Sequence, residues 1–219
     1  ERWQRGGPLG WVLDNDEDAL SLEARFAGFD ITQVLDHDEV RTPAMLYLFH
    51  RIAERVDGRR LVLDIDEFWK VLGDPAFTEL ARDGLKTWRK QNALMVFGTQ
   101  SPADALRSPI AHAILEQCAT KIFLPNAHGQ ARDYIEGFGL TQEEFRLVRE
   151  VLTPESHRFL VKQGHDSVVV ELDLSGMDDA LAVLSGRTET TALLDRLRAE
   201  LGDDYALWRD PFHDQRRFL

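Results

Sequence analysis

Apolar and polar positions along the chain follow two kinds of pattern. Short apolar runs predict strands, and segments with an apolar residue every three or four positions predict helices. A helical stripe covers 38–56 and is followed by Gly58, and a second amphipathic segment begins at Asp74 and Pro75. Mostly apolar runs predict strands at 61–67, 93–98 and 120–126. This alternation predicts an α/β fold with a mostly parallel sheet flanked by helices.

The segment after these elements predicts a hairpin. Two apolar runs, 158–162 and 167–172, flank the polar residues 163–166, a pattern typical of paired antiparallel strands. Before the hairpin, Thr141 is followed three residues later by Glu144, which predicts a capping box at the start of a helix.

The C-terminal part of the chain predicts a helical subregion of residues 174–219. Its helices are predicted at 178–184 and 188–201, and a short tail follows. Near the N-terminus, 11–13 and 28–32 predict short extended segments. Large aromatic side chains are expected either in the core or as anchors of an interface. They are Trp69, Trp88, Trp208 and Phe212.

Composition narrows the function classes. The chain has 219 residues, 43% of them hydrophobic, which favours one soluble globular domain. A net charge of −12 argues against strong intrinsic binding to nucleic acid, which depends on clustered Lys and Arg. A single cysteine, Cys118, excludes an internal disulfide and favours a reducing cytoplasm. No apolar run is long enough to span a membrane, and without an initiator Met the chain is expected to begin inside a longer protein.

Polar residues follow three of the predicted strands. In an open α/β sheet, ligands bind beyond the carboxyl ends of the strands. The residues delivered there are Asp66 and Glu67, Thr99 and Gln100, and Asn126. An Asp-Glu pair is what a RecA-type nucleotide-hydrolysing site needs, because the Asp holds Mg²⁺ through its water shell and the Glu orients or deprotonates the attacking water.

The acidic strand end leaves two questions open. Asp64 lies two residues before Asp66 and therefore on the same strand face, so either carboxylate could be the one that associates with the metal. Asp66 is favoured because Glu67 directly follows it. Acidic residues at strand ends also cap neighbouring helices, so the pair alone has a structural interpretation as well as a catalytic one.

Four motifs, in this order, resemble the CagE/TrbE/VirB-type conjugation ATPases. They lie at 63–70, 85–93, 97–102 and 119–126, and the similarity continues to Trp208. The chain thus resembles the C-terminal half of the motor domain of a type IV secretion ATPase. The resemblance implies a partial RecA-like P-loop NTPase fold with a C-terminal hairpin and helical tail.

The resemblance also implies a function. The parent protein would be a hexameric ATPase that uses ATP and Mg²⁺ to power pilus biogenesis and substrate translocation. It would lie in the cytoplasm, peripheral to the bacterial inner membrane. Its partners would be further copies of itself, other inner-membrane components of the secretion system and other ATPases of that system.

Residue roles follow from the resemblance. Asp66 would associate with Mg²⁺, Glu67 would be the catalytic carboxylate, and Gln100 would sense the γ-phosphate or place the attacking water. Arg89 would enter the neighbouring subunit's site as an arginine finger. Further nucleotide contacts are predicted at Asp64, Thr99, Asn126 and Arg158.

Both arginines have a second interpretation. Arg89 lies with Lys86 and Lys90 at the end of a predicted helix, where the dipole favours cations in any case. Arg158 is a second candidate for the finger, and its alternative is a charge at the start of an edge strand.

The sequence departs from the family pattern in one respect. No G-x-x-x-x-G-K-[ST] motif is present, so the backbone cradle for phosphates is missing. The 219 residues alone are therefore expected to hold nucleotide weakly and to be inactive. The alternative function is a non-catalytic assembly or docking module whose acidic strand end is structural.

Overall fold

The computed structural model describes residues 1–68 and 75–219 and divides the chain into two compact units, Glu1–Val170 and Glu171–Leu219. Trp69 and the predicted helix start at Asp74 lie outside the described residues. Helices of the first unit are α1 (Gly10–Leu13), α2 (Thr32–Leu35), α3 (Asp38–Ala53), α4 (Pro75–Thr87), α5 (Pro102–Arg107), α6 (Ala111–Gln117) and α7 (Gln142–Arg146). The strands are β1 (Leu61–Ile65), β2 (Ala93–Phe97), β3 (Thr120–Phe123), β4 (Arg158–Gln163) and β5 (Asp166–Glu171).

The first sheet is a parallel pair formed by β1 and β2, with Ile65 opposite Phe97. Helix α4 lies between the two strands in sequence, as parallel pairing requires a crossover connection. Along β1 the side chains alternate, so that Val62 and Asp64 are exposed while Ile65 is buried. The predicted α/β fold with a parallel sheet is confirmed for the strands at 61–67 and 93–98.

Helices α3 and α4 supply the core on the buried side of this sheet. The rings of Phe49 and Phe77 lie 4.6 Å apart, and Met45 and Ala81 are fully buried beside them. Trp88 is buried in the same cluster. Full burial of each large apolar side chain contributes about 1.5–3 kcal/mol, so this cluster holds the parallel pair in place. Trp88 is therefore a core residue.

The third predicted strand belongs to a different sheet. Within the described residues, β3 pairs with β4 in antiparallel orientation, and β5 continues the sheet beyond β4. The expectation that 120–126 ends at the same sheet edge as β1 and β2 is therefore wrong. Phe123 and Leu160, which face each other in the register, bury one side of this sheet against Phe145 and Val148. A short apolar run predicts a strand but does not specify its partner.

The predicted hairpin is confirmed. Strands β4 and β5 are neighbours, and Gly164 between them has a φ of 62°. That left-handed conformation is accessible to glycine without the steric cost that a Cβ brings, and tight hairpin turns require it.

A buried ion pair joins β4 to the start of α7. The Lys162 ammonium donates hydrogen bonds of 2.8 and 2.9 Å to the two carboxylate oxygens of Glu144, and both side chains are about nine-tenths buried. Glu144 also accepts from the Thr141 backbone, which completes the predicted capping box. Burial raises the pKa of Glu144, but hydrogen bonds from Lys162, the Thr141 amide and Ser167 outweigh it and hold that pKa at about 2.

Breaking this pair is expected to destabilise the chain. Lys162→Ala leaves the Glu144 carboxylate buried without its cation, which costs about 3–5 kcal/mol of unfolding free energy. Because the folded pKa of Glu144 (about 2) lies below its ordinary value of 4.5, its stabilising contribution is complete above pH 4.5 and is lost as pH falls towards 2. Urea unfolding of the chain as a function of pH measures both effects.

The matched control replaces both partners. Glu144→Gln with Lys162→Met retains a side chain that caps Thr141 and removes both charges, so it should recover most of the lost stability and flatten the pH dependence between 4.5 and 2. Equal stability of Lys162→Ala and wild type would contradict this account.

The second unit is helical. Its helices are α8 (Asp178–Leu184), α9 (Thr188–Leu201) and α10 (Tyr205–Gln215). The first two confirm the predicted ranges. Trp208 and Phe212 of α10 pack with Leu193 and Leu197 of α9, which makes both aromatic residues core residues of this unit. Helix α10 was not predicted because its segment contains Pro211, which usually ends a helix.

Two N-terminal predictions are wrong. The run 11–13 lies in the single-turn helix α1, since three apolar residues cannot distinguish a strand from a helical turn. Residues 28–31 are irregular, and Asp30 accepts the Thr32 amide at 2.9 Å where α2 begins. In the described ranges, no helix combines the length and apolar character needed to cross a bilayer.

Candidate functional site

The chain turns sharply after β1, and this turn is hydrogen-bonded to the end of β2. The Gly98 amide donates to the Ile65 carbonyl at 2.9 Å, and the Phe68 amide donates to the Gly98 carbonyl at 3.2 Å. Between these two bonds, Asp66 Oδ1 accepts the Glu67 amide at 2.9 Å, and Glu67 has a φ of 49°. The two acidic residues therefore lie on a turn whose backbone is held at both ends.

Phe68 anchors this turn in the core. Its side chain is 1% exposed and its ring meets that of Phe97 edge-on, with centroids 5.1 Å apart. Such an aromatic pair stabilises by about 0.5–1.5 kcal/mol beyond the area it buries. A buried Phe after two acidic residues fixes the turn while Asp66 stays exposed and Glu67 half-exposed.

The carboxylates of Asp64 and Asp66 are exposed and that of Glu67 is half-exposed. Among the described residues no Lys, Arg or His forms an ion pair with Asp64, Asp66 or Glu67. Asp64 lies on the exposed face of β1, beside Val96 of β2, one step further from the strand end. Asp66 is thus at the sheet edge and Asp64 on the sheet face.

Thr99 and Gln100 follow β2 at the same edge. Because β1 and β2 are parallel and in register, the segments after Ile65 and Phe97 lie side by side. The Thr99 hydroxyl both donates to the Ser101 carbonyl and accepts the Ser101 amide, each at 3.2 Å, so it is part of a local turn. Gln100 at that turn is exposed. The structure therefore brings Asp66, Glu67, Thr99 and Gln100 to one edge.

Asn126 lies with the second sheet. Its Nδ2 donates to Tyr134 Oη and its Oδ1 accepts the His128 amide, both at 3.0 Å, so the side chain fixes the loop after β3. Arg158 begins β4, and the antiparallel register places it at the same end of that sheet as Asn126. A nucleotide contact by either residue stays a prediction.

Arg89 lies at the opposite edge of the first sheet. It is exposed in a 3₁₀ turn, Trp88–Gln91, that directly precedes β2. β2 has five residues, so its amino end is about 16 Å from the carboxyl edge where Gln100 follows. The structure separates Arg89 from the carboxylates of its own chain.

Cys118 has no sign of an activated nucleophile. It follows α6 and is half-buried, and this burial raises the pKa of its thiol despite the opposite influence of Lys121. Reactive cysteines have a lowered pKa.

The comparisons with known proteins decide the family. The family model of the TraG P-loop domain matches residues 1–169. The chain belongs to this family. The match includes the whole first sheet and the second sheet as far as residue 169 of β5, and the four residues at the first sheet's carboxyl edge lie within it.

Members of type IV secretion systems are similar to almost the whole chain. Type IV secretion system protein virB4 of Bartonella henselae is 52% identical over 99% of the chain, which spans 28% of that protein. Type IV secretion system protein PtlC of Bordetella pertussis is 45% identical over 96% of the chain, which spans 26% of that protein. The chain thus spans about a quarter of the length of the curated relatives it matches.

A solved structure shows the same fold. VirB4 of Thermoanaerobacter pseudethanolicus superposes with a TM-score of 0.54 at 19% identity, covering 68% of this chain and 42% of that one. The predicted family and the α/β fold of a P-loop NTPase domain are both confirmed.

The donor groups at the sheet edge fit Mg²⁺. This ion prefers carboxylate oxygens and is usually bound by one or two carboxylates together with substrate phosphates, not by an all-protein cage. Asp66 and Glu67 supply two such groups without a competing cation among the described residues. No group of three or more His, Cys, Asp or Glu side chains that could hold a metal occurs in 1–68 or 75–219. Two carboxylates at one edge thus fit an ion that takes its other ligands from elsewhere.

Proposed function

We propose that this chain supplies the hydrolytic edge of an ATP-driven motor of a type IV secretion or conjugal transfer system. The observation that carries the proposal is the fixed turn after β1, which presents Asp66 and Glu67 beside the exposed Gln100. Membership in the TraG P-loop domain family and the similarity to secretion-system proteins support it.

Three residues at this edge, Asp66, Glu67 and Gln100, have distinct roles. The Glu67 carboxylate orients the attacking water and accepts its proton, and the Asp66 carboxylate holds Mg²⁺ through water. When bound, Mg²⁺ neutralises charge on the β- and γ-phosphates. Gln100, on the neighbouring strand end, donates to the γ-phosphate or to the water.

The phosphate cradle lies in another part of a longer polypeptide. The 219 residues contain no G-x-x-x-x-G-K-[ST], and they span about a quarter of their relatives. In P-loop NTPases, backbone amides and a Lys that contact the phosphates supply most of the affinity for the nucleotide. The chain alone therefore binds ATP and Mg²⁺ weakly, and the full-length protein binds both.

Arg89 acts on a neighbouring subunit. Its position about 16 Å from the carboxyl edge, at the amino end of the five-residue β2, excludes it from the site of its own chain. An exposed arginine there is available to the site of an adjoining copy in a ring. A hexameric ring of full-length subunits accounts for this arrangement.

The motor works with the secretion machinery at the membrane. We place it in the cytoplasm, peripheral to the bacterial inner membrane, with other inner-membrane components and ATPases of the system as partners. Its ATP turnover powers pilus biogenesis and the translocation of substrates. The net charge of −12 argues against strong binding of nucleic acid by these 219 residues themselves.

The test compares the full-length protein with the 219-residue chain. The full-length protein is expected to hydrolyse ATP in Mg²⁺ and to lose that activity in EDTA, because the sheet edge holds the metal together with the phosphates. The isolated chain should show no turnover above background. Phosphate release measures both. A full-length protein without ATPase activity in any oligomeric state would favour the assembly or docking module instead.

A further inference from the structure

Gly98 directly adjoins the carboxylate that we assign to the metal. A Cβ built on Gly98 would lie 3.0 Å from Asp66 Oδ1 and 3.5 Å from Asp66 Cα. The Gly98 amide and carbonyl are both bonded to the turn, to Ile65 and Phe68 respectively. The glycine thus cannot move away from Asp66 without breaking the ladder that joins the two strand ends.

A side chain at position 98 is disfavoured by steric crowding and not by the backbone conformation. Gly98 is not among the glycines with positive φ, so its backbone accepts an L side chain. The nearest atom to the added methyl is the end of a short side chain, Asp66 Oδ1, which also accepts the Glu67 amide at 2.9 Å. A methyl at position 98 would displace this oxygen and weaken its bond to Glu67.

We propose that Gly98 is a positioning residue that sets the orientation of the Asp66 carboxylate, and with it the affinity of the site for its metal. This inference rests on the proposed function. Asp66 Oδ1 lies 3.0 Å from the position that a Cβ of residue 98 would take, so the absence of a side chain there lets the carboxylate lie this close to the end of β2. An alanine there requires the Asp66 carboxylate to shift by a few tenths of an ångström, since the strand ladder fixes the backbone on both sides.

Gly98→Ala is expected to weaken metal binding without lowering the stability of the fold. Asp66 is exposed, so its side chain can rotate into solvent without opening a cavity. A Gly→Ala change at a permissive φ stabilises slightly by restricting the unfolded chain. Gly98→Ala should therefore leave the melting temperature close to that of wild type. Metal affinity should fall about 10-fold, the lower end of the effect of altering groups that orient a metal ligand.

The experiment uses the full-length protein and reads binding, not turnover. A fluorescent ATP analogue in EDTA measures nucleotide affinity without metal, and Mn²⁺ titration of the nucleotide complex by EPR measures metal affinity. For Gly98→Ala we expect nucleotide affinity in EDTA within about twofold of wild type and Mn²⁺ affinity about 10-fold weaker. Asp66→Asn, measured in parallel, should weaken Mn²⁺ binding at least as much.

Two glycine controls isolate the contact with Asp66. Gly28 has open space around its Cβ position, so Gly28→Ala reports the effect of the residue change alone. The Cβ position of Gly84 lies 3.0 Å from Met95 Sδ and 3.3 Å from two atoms of the Trp88 ring, so Gly84→Ala reports crowding at least as close, without a carboxylate. Both controls should bind Mn²⁺ as wild type does.

The outcomes separate this inference from the proposed function. Unchanged Mn²⁺ affinity in Gly98→Ala, with weakened affinity in Asp66→Asn, would overturn the role of Gly98 and leave the site in place. A Gly98→Ala protein that does not fold, or equal weakening by Gly84→Ala, would also overturn it. Unchanged Mn²⁺ affinity in Asp66→Asn would overturn the metal assignment of the proposed function itself.

Discussion

Glu67→Gln in the full-length protein should lower ATP turnover about 10²–10⁴-fold, the usual contribution of a positioned general base. Glutamine keeps the size and hydrogen-bonding shape of the side chain but cannot accept a proton from water. The turn is held by backbone bonds on both sides of Glu67 and by the buried Phe68, so the substitution should not alter its path. ATP binding is therefore expected to persist in the variant.

A matched control distinguishes the site from a general effect of charge. Glu79 is an exposed carboxylate on α4, and Glu79→Gln should leave turnover unchanged. Steady-state phosphate release gives turnover, and binding of a fluorescent ATP analogue gives affinity. Turnover of Glu67→Gln equal to that of wild type would remove Glu67 from the mechanism.

Arg89→Ala is expected to reduce turnover by about 10³–10⁵-fold, as loss of an arginine finger does. Since Arg89 and the carboxylates lie at opposite edges of the same sheet, its target is the site of a neighbouring subunit. Mixed rings of Arg89→Ala and Glu67→Gln subunits contain some interfaces where an intact Arg89 meets an intact Glu67. Mixing two inactive variants should therefore restore part of the activity.

Lys90→Ala is the control for this experiment. Lys90 is exposed in the same 3₁₀ turn, so it experiences the same helix-end electrostatics as Arg89. Lys90→Ala should change turnover little. In mixed rings with Glu67→Gln subunits, Lys90→Ala subunits should give the same turnover as wild-type subunits do. If no mixing ratio restores activity, or if Lys90→Ala loses as much activity as Arg89→Ala, then the finger assignment is wrong.

The parallel pair of strands could be predicted from the sequence because its signals are local. Strands 61–67 and 93–98 are mostly apolar, and an amphipathic helix separates them, which leaves parallel pairing with a crossover as the compatible arrangement. Asp66 and Glu67 could be placed at a strand end for the same reason. The capping box at Thr141 is another pattern confined to one turn of helix, and it is confirmed.

Features that depend on pairing between distant segments could not be predicted. The run at 120–126 has the apolar pattern of a strand, but whether it joins β2 or β4 depends on packing against Tyr134, Phe145 and Leu160. The same limit applies to Gly98. A glycine after a strand is visible in the sequence, but its approach to Asp66 exists only when the two strand ends are paired. The role of the edge residues stays a prediction until it is tested.

The position of bound nucleotide tests the central claim most directly. A structure of the full-length Glu67→Gln protein with ATP and Mg²⁺ is expected to show the γ-phosphate beyond the carboxyl ends of β1 and β2. The amide of residue 67 should lie within hydrogen-bonding reach of the attacking water, about 2.6–3.2 Å, and Arg89 of an adjoining subunit should point at the phosphate. ATP bound elsewhere, with Asp66 and residue 67 facing only solvent, would contradict the account.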